Sequence, residues 1–138
     1  MANYRIALRP DLADIPRLLD WVEACCAADG VVADTALKLA LALEEVVANT
    51  VNHGFRQIAA PQRIEVRLEI GRAAIIAEVI DNAPPFNPCA TPPPDIQLPL
   101  EQRKPGGLGI RLIHGLIDRI TYKRADGENR LRLEKARS

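Results

Sequence analysis

Residues 63–80, RIEVRLEIGRAAIIAEVI, decide the fold. In their first half Ile64, Val66, Leu68 and Ile70 fall on one side of an extended chain, while Arg63, Glu65, Arg67 and Glu69 fall on the other. That period of two predicts a strand with one buried face. Gly71-Arg72 begins a turn into a second strand, Ala73 to Ile80, so the stretch reads as a hairpin. A sheet with such strict alternation is covered on one face and meets water or a partner on the other.

The flanking segments supply the cover. Toward the N-terminus, Tyr4 to Leu8 alternates like a short strand, and Arg9-Pro10-Asp11 ends it. Asp11 to Ala28 spaces Leu12, Ile15, Leu18, Leu19, Val22 and Cys26 by three and four, which predicts an amphipathic helix closed by Asp29-Gly30. Pro16 falls in its early turns, where a missing N–H is tolerated. A second helix is expected from a cap at Asp34 or Thr35 to His53, with Gly54 as its stop, and its apolar residues surround most of the axis. Beyond the hairpin, Ala83 to Pro105 is proline-rich and without period, a loop long enough to act as a lid or binding segment. Gly106 to Ile117 reads as a glycine turn feeding a helix. Asp118 to Arg124 and Arg130 to Lys135 then form a last hairpin around Asp126-Gly127. Strand, helix, helix, hairpin, loop, helix, hairpin is not the alternation of a doubly wound sheet. It predicts a two-layer α+β sandwich, and 138 residues suit a single domain, 1–138.

Composition narrows the function. Lys plus Arg and Asp plus Glu number 18 each, so no global field draws the chain to nucleic acid or to an anionic membrane. Val31 to Val51 is apolar-leaning but carries Asp34, Lys38, Glu44 and Glu45, which argues against a membrane span. The N-terminal residues lack the apolar core of a secretory signal, which makes a cytoplasmic location the expectation. Cys25, Cys26 and Cys89 show no metal-binding spacing and are read as unpaired thiols.

Three segments carry the chemistry. In LALEEVVANTVNHG of the second helix, Glu45, Asn49 and His53 are four apart and share a stripe, with Glu44 pointing elsewhere. An acid, Asp81, ends the second hairpin strand and opens the run Asp81-Asn82-Ala83-Pro84-Pro85. Lys104-Pro105-Gly106-Gly107-Leu108-Gly109 puts three glycines before a helix, where backbone can approach phosphate oxygens and free N–H groups face an anion. Each segment alone has a structural explanation. A buried polar pair can satisfy backbone at a helix edge, and an acid after a strand is a common turn-former. The glycine turn also lacks the pattern of a P-loop or a dinucleotide fingerprint.

Together, in this order and across the proline-rich loop, the three segments resemble the GHKL ATPase superfamily, also called the histidine-kinase-like or Bergerat fold, over about Leu37 to Ile117. Glu45 to Asn49 looks like its N box, Asp81 to Pro85 its first glycine box and Gly107-Leu108-Gly109 its second. The short chain, the NHG ending at Gly54, DNAPPFNP and GGLGIRLI are similar to the bacterial anti-sigma factor serine/threonine kinases. The resemblance implies a mixed, mostly antiparallel sheet with about three helices on one face. It also implies ATP and Mg²⁺ as ligands. Glu45 would be the general base, Asn49 the Mg²⁺ ligand and Asp81 the acceptor for the adenine amino group. Gly106, Gly107, Leu108 and Gly109 would hold the phosphates, with Arg103 or Lys104 nearby; His53 would contact the nucleotide or else cap its helix. Ala83 stands where the family's first box has glycine, so a methyl group could crowd the base or disfavour a positive φ. The partners implied are a sigma factor and a small anti-anti-sigma (STAS-type) antagonist, with a homodimer formed through the edge at Tyr4 to Leu8. The alternative is a non-catalytic ATP-binding module that sequesters a protein.

Overall fold

The computed structural model describes residues 1–55, 61–90 and 113–138. Five strands form one sheet: β1 (Ala2–Leu8), β2 (Ile64–Ile70), β3 (Ala74–Asp81), β4 (Arg119–Ala125) and β5 (Glu128–Ala136). Their spatial order is β1-β2-β3-β5-β4, and every pairing is antiparallel, where the expectation had allowed a mixed sheet. The helices are α1 (Ile15–Ala28), α2 (Ala33–Asn49) and a short α3 at 113–116.

The alternation seen in the sequence sets the layers. Val66, Leu68, Ile75, Ala77, Val79 and Leu133 are almost fully buried on one face of the sheet, together with Leu18, Val22 and Cys26 of α1 and Leu39, Leu43 and Val47 of α2. Each large side chain of this kind stabilises the fold by about 1.5–3 kcal/mol on leaving water. The other face carries Glu65, Arg67, Glu69, Glu78 and Arg132, none of them buried. Of the thiols, Cys25 and Cys26 lie in the core, with Cys26 pushed up to about 11, mainly by burial, and Cys89 is exposed.

Helix ends differ from the expectations in informative ways. α1 begins after a 3₁₀ turn at Leu12–Asp14 capped by Asp11, whose Oδ1 accepts the Ala13 N–H at 2.9 Å, and this leaves Leu12 exposed. Asp14 is buried and accepts from the Arg9 N–H at 2.8 Å and from Arg17 at 3.0 Å, which fastens β1 to α1. Neither Asp34 nor Thr35 caps α2, which starts one residue earlier behind Val32. Asp34 instead pairs with Lys38 at 3.0 Å, and the Thr35 hydroxyl donates to the Arg137 carbonyl at 3.2 Å. Arg137 also donates to the carbonyls of Gly71 and Asp29, so one residue ties the α1–α2 connection to the β2–β3 turn. Between β4 and β5 the loop is the two residues Asp126 and Gly127, both at positive φ, as the Asp-Gly signal implied.

At the far end α2 does not stop or continue regularly. It widens into a π turn at Thr50–Gly54, in which the Phe55 N–H bonds the Thr50 carbonyl at 3.2 Å. His53, within this turn, is exposed.

Candidate functional site

The end of α2, the end of β3 and the start of β5 surround a cleft lined mainly by apolar atoms. Val46, Asn49, Thr50 and Gly54 form one wall, Asp81 and Ala83 the floor, and Tyr122, Asn129 and Leu131 the opposite wall; Phe86 and Pro88 stand at the rim. The open space amounts to about 480 Å³, mouth included.

Asp81 is the charged group in this lining and is 7% exposed. Its placement follows from the sheet register, which sets Asp81 directly opposite Asn129. Asp81 Oδ1 accepts two bonds, from the Ala83 N–H at 3.0 Å and from Asn129 Nδ2 at 3.0 Å. Oδ2 has no hydrogen bond among the described residues, and it is not one of the fully enclosed atoms left without a partner. Asp81 thus brings a carboxylate to the cleft lining. Burial pushes the carboxyl above its ordinary range, while the donors from Asn129 and Ala83 and the nearby Arg124 guanidinium pull it back.

Ala83 fits without strain. The positive φ values among described non-glycine residues occur at Asp126 alone, so Ala83 needs no left-handed backbone. Its side chain is 2% exposed and packs toward Gly54, where a Cβ would lie 3.2 Å from the Ala83 Cβ. The methyl group occupies space that a glycine on the facing turn leaves free.

Of the other residues singled out in the sequence, Asn49 lines the cleft, and Glu45 is half-buried one helical turn away. His53 is exposed and is not part of the lining, which Gly54 enters in its place. Arg103, Lys104, Gly106, Gly107, Leu108 and Gly109 lie outside the described residues, as does the part of the expected loop beyond residue 90. Sequence reasoning overlooked Thr50, Gly54, Phe86, Tyr122, Arg124 and Asn129. A signal existed for Asn129: it precedes Leu131 and Leu133 on the inward side of its strand, an unusual register position for a carboxamide unless it has partners.

An apolar slot with a carboxylate at its floor suits a flat, aromatic ring that carries an amino group. Helices α1 and α2 on one face of an antiparallel sheet, with this slot between helix and strand ends, define a two-layer α+β sandwich. The chain belongs to the histidine kinase-like ATPase domain family, whose model matches residues 8–135. It is 30% identical over 115 residues to the serine/threonine-protein kinase BtrW of Bordetella bronchiseptica, an alignment covering 83% of this chain and 80% of BtrW.

Solved structures agree on the fold. The RsbU and RsbW domains of Rv1364c from Mycobacterium tuberculosis superpose with a TM-score of 0.70 at 16% identity, over 100% of this chain and 34% of that one. The histidine kinase domain of the Erythrobacter litoralis EL346 blue-light activated histidine kinase gives 0.56 at 15% identity, over 91% of this chain and 60% of that one. This chain thus spans about a third and three fifths of those two. Among the described residues, no helix is long and apolar enough to cross a membrane.

Proposed function

We propose that the chain binds Mg-ATP in this cleft and transfers its γ-phosphate to a serine or threonine of a small anti-anti-sigma (STAS-type) protein, acting as an anti-sigma factor that switches partners. The observation that carries the reading is Asp81, a buried carboxylate on the lining of an apolar slot, with Oδ1 held by Ala83 and Asn129. That arrangement suits the adenine amino group as donor and disfavours the 6-oxo group of guanine. The likeness to a serine/threonine-protein kinase supports transfer to a protein hydroxyl.

The residues divide the work. Asn49 presents a neutral, hard oxygen suited to one position on Mg²⁺. Phosphate oxygens and water would fill the remaining positions on the ion. Bound Mg²⁺ would supply neutralisation of phosphate charge. Glu45, one turn earlier, accepts the proton of the attacking hydroxyl as general base. Gly106 to Gly109 would cradle the phosphates with their N–H groups, with Arg103 or Lys104 offsetting charge.

Incubation with [γ-³²P]ATP, Mg²⁺ and the cognate antagonist should label a serine or threonine, and Glu45→Ala should abolish labelling while ATP still binds. Absence of transfer by the wild type, with ATP binding intact, would replace this reading with that of a non-catalytic module.

A further inference from the structure

Asn129 makes more polar contacts than a strand residue requires. It is 5% exposed. Its Nδ2 donates to Asp81 Oδ1 at 3.0 Å, to the Pro84 carbonyl at 3.0 Å and to the Ala83 carbonyl at 3.3 Å. Its Oδ1 accepts the Phe86 N–H at 3.2 Å, the Tyr122 hydroxyl and Arg124 at 3.3 Å. One carboxamide thus joins the strand-end acid, the turn at residues 83–86 and the neighbouring strand β4.

The orientation of this amide is fixed by its surroundings. Three donors converge on Oδ1 and three acceptors on Nδ2, so a flipped amide would set N–H against N–H and oxygen against oxygen. Arg124 reinforces the arrangement by donating to the Ala83 carbonyl at 2.8 Å. The consequence reaches the cleft: with the donor always facing Asp81 Oδ1, the carboxylate cannot rotate to spend both oxygens internally.

We propose that Asn129 is a positioning residue for base recognition. It holds Asp81 with Oδ2 directed into the cleft and anchors the turn that forms its floor, and so sets the preference for a 6-amino over a 6-oxo purine. This rests on the reading of Asp81 as the adenine acceptor. Asn129 bonds Asp81 directly, so its removal changes selectivity by letting the carboxylate turn. The triphosphate contacts, made by other segments, stay as they are.

The test compares ATP with inosine triphosphate, which differs at the 6-position and the adjoining ring nitrogen. Dissociation constants for both, in Mg²⁺, are measured by calorimetry on the full chain for the wild type, Asn129→Leu and Asn129→Asp, with thermal melts as the measure of folding. The wild type should favour ATP by tenfold or more. Asn129→Leu removes the donor, and Asn129→Asp keeps the shape while facing Asp81 with a second carboxylate. Each should bring the ratio of the two constants to within about threefold of one, chiefly by weakening ATP. The Asp variant, nearly isosteric, decides the matter if the Leu variant melts below the assay temperature. A folded variant that keeps the wild-type ratio overturns the role of Asn129, whatever its stability. A wild-type ratio near one overturns the adenine reading itself and this inference with it.

Discussion

Asp81 shows how a single residue can be costly to the fold and useful to the site. Burial raises its pKa above that of the unfolded chain, so the ionised form works against folding. Its contribution to stability is full below the ordinary carboxylate range near pH 4 and declines as pH rises through the folded value. Asp81→Asn removes this penalty. The amide oxygen must take the place of Oδ1, where the Ala83 and Asn129 donors converge, which leaves the NH₂ group facing the cleft. Thermal melts should find Asp81→Asn as stable as the wild type or more so at pH 8, with the difference closing toward pH 4. Asp14 titrates the other way, lowered chiefly by the Arg9 N–H, but it is common to both proteins and drops out of the comparison. ATP affinity of the variant should fall by about 1–3 kcal/mol, roughly five- to 150-fold, because donor meets donor. Unchanged affinity by calorimetry would remove Asp81 from base recognition.

Among the elements, the π turn after α2 and the turn after β3 are matched surfaces. Gly54 on one and Ala83 on the other share a space that holds one methyl group, since a Cβ on Gly54 would come to 3.2 Å from that of Ala83 and 3.6 Å from Thr50 Cγ2. Gly54→Ala should therefore destabilise the chain in the presence of Ala83 and do so less in Ala83→Gly. Denaturant unfolding of the two single variants and the double should give a coupling of about 0.5–2 kcal/mol, and strict additivity would show that the turns do not meet in solution. This pairing was not legible in the sequence, because it depends on a helix that widens at its end. Regular strands were legible: Ile64 to Ile70 alternate, and a one-residue slip would bury Glu65, Arg67 and Glu69. The inner stripe of α1 was legible for the same reason, whereas α2, whose apolar residues surround most of its axis, leaves Leu37 and Leu41 exposed. The caps were less so, since Asp34 and Thr35 found other partners. His53, counted in fours from Asn49, is exposed and stands outside the cleft lining. Asn129 escaped notice because its meaning lies in the residue across the sheet from it, which sequence spacing does not reveal.

At the scale of the whole molecule, the described sheet ends in two unlike edges, β1 and β4. A free edge offers unpaired N–H and carbonyl groups to another chain, and charged side chains blunt that tendency. β4 carries Arg119, Lys123 and Arg124, all exposed, so two copies meeting there would bring like charges together. β1 exposes Asn3, Arg5 and Ala7, and Arg5 lies 3.7 Å from Glu65 of the adjoining strand. The carbonyl of Ala7 is already taken by Arg17 at 2.9 Å, which confines any added pairing to Ala2 through Ile6. These differences favour β1 as the edge for a homodimer, formed away from the cleft between α2, β3 and β5. Light scattering should then report a dimer whose formation is little affected by salt, since an edge-to-edge contact through backbone does not depend on exposed charge. It should be weakened by Arg5→Pro, which places a ring on the edge strand. A strict monomer at high concentration would remove the dimer. A dimer that dissociates with salt and is lost in Lys123→Glu would move the contact to β4.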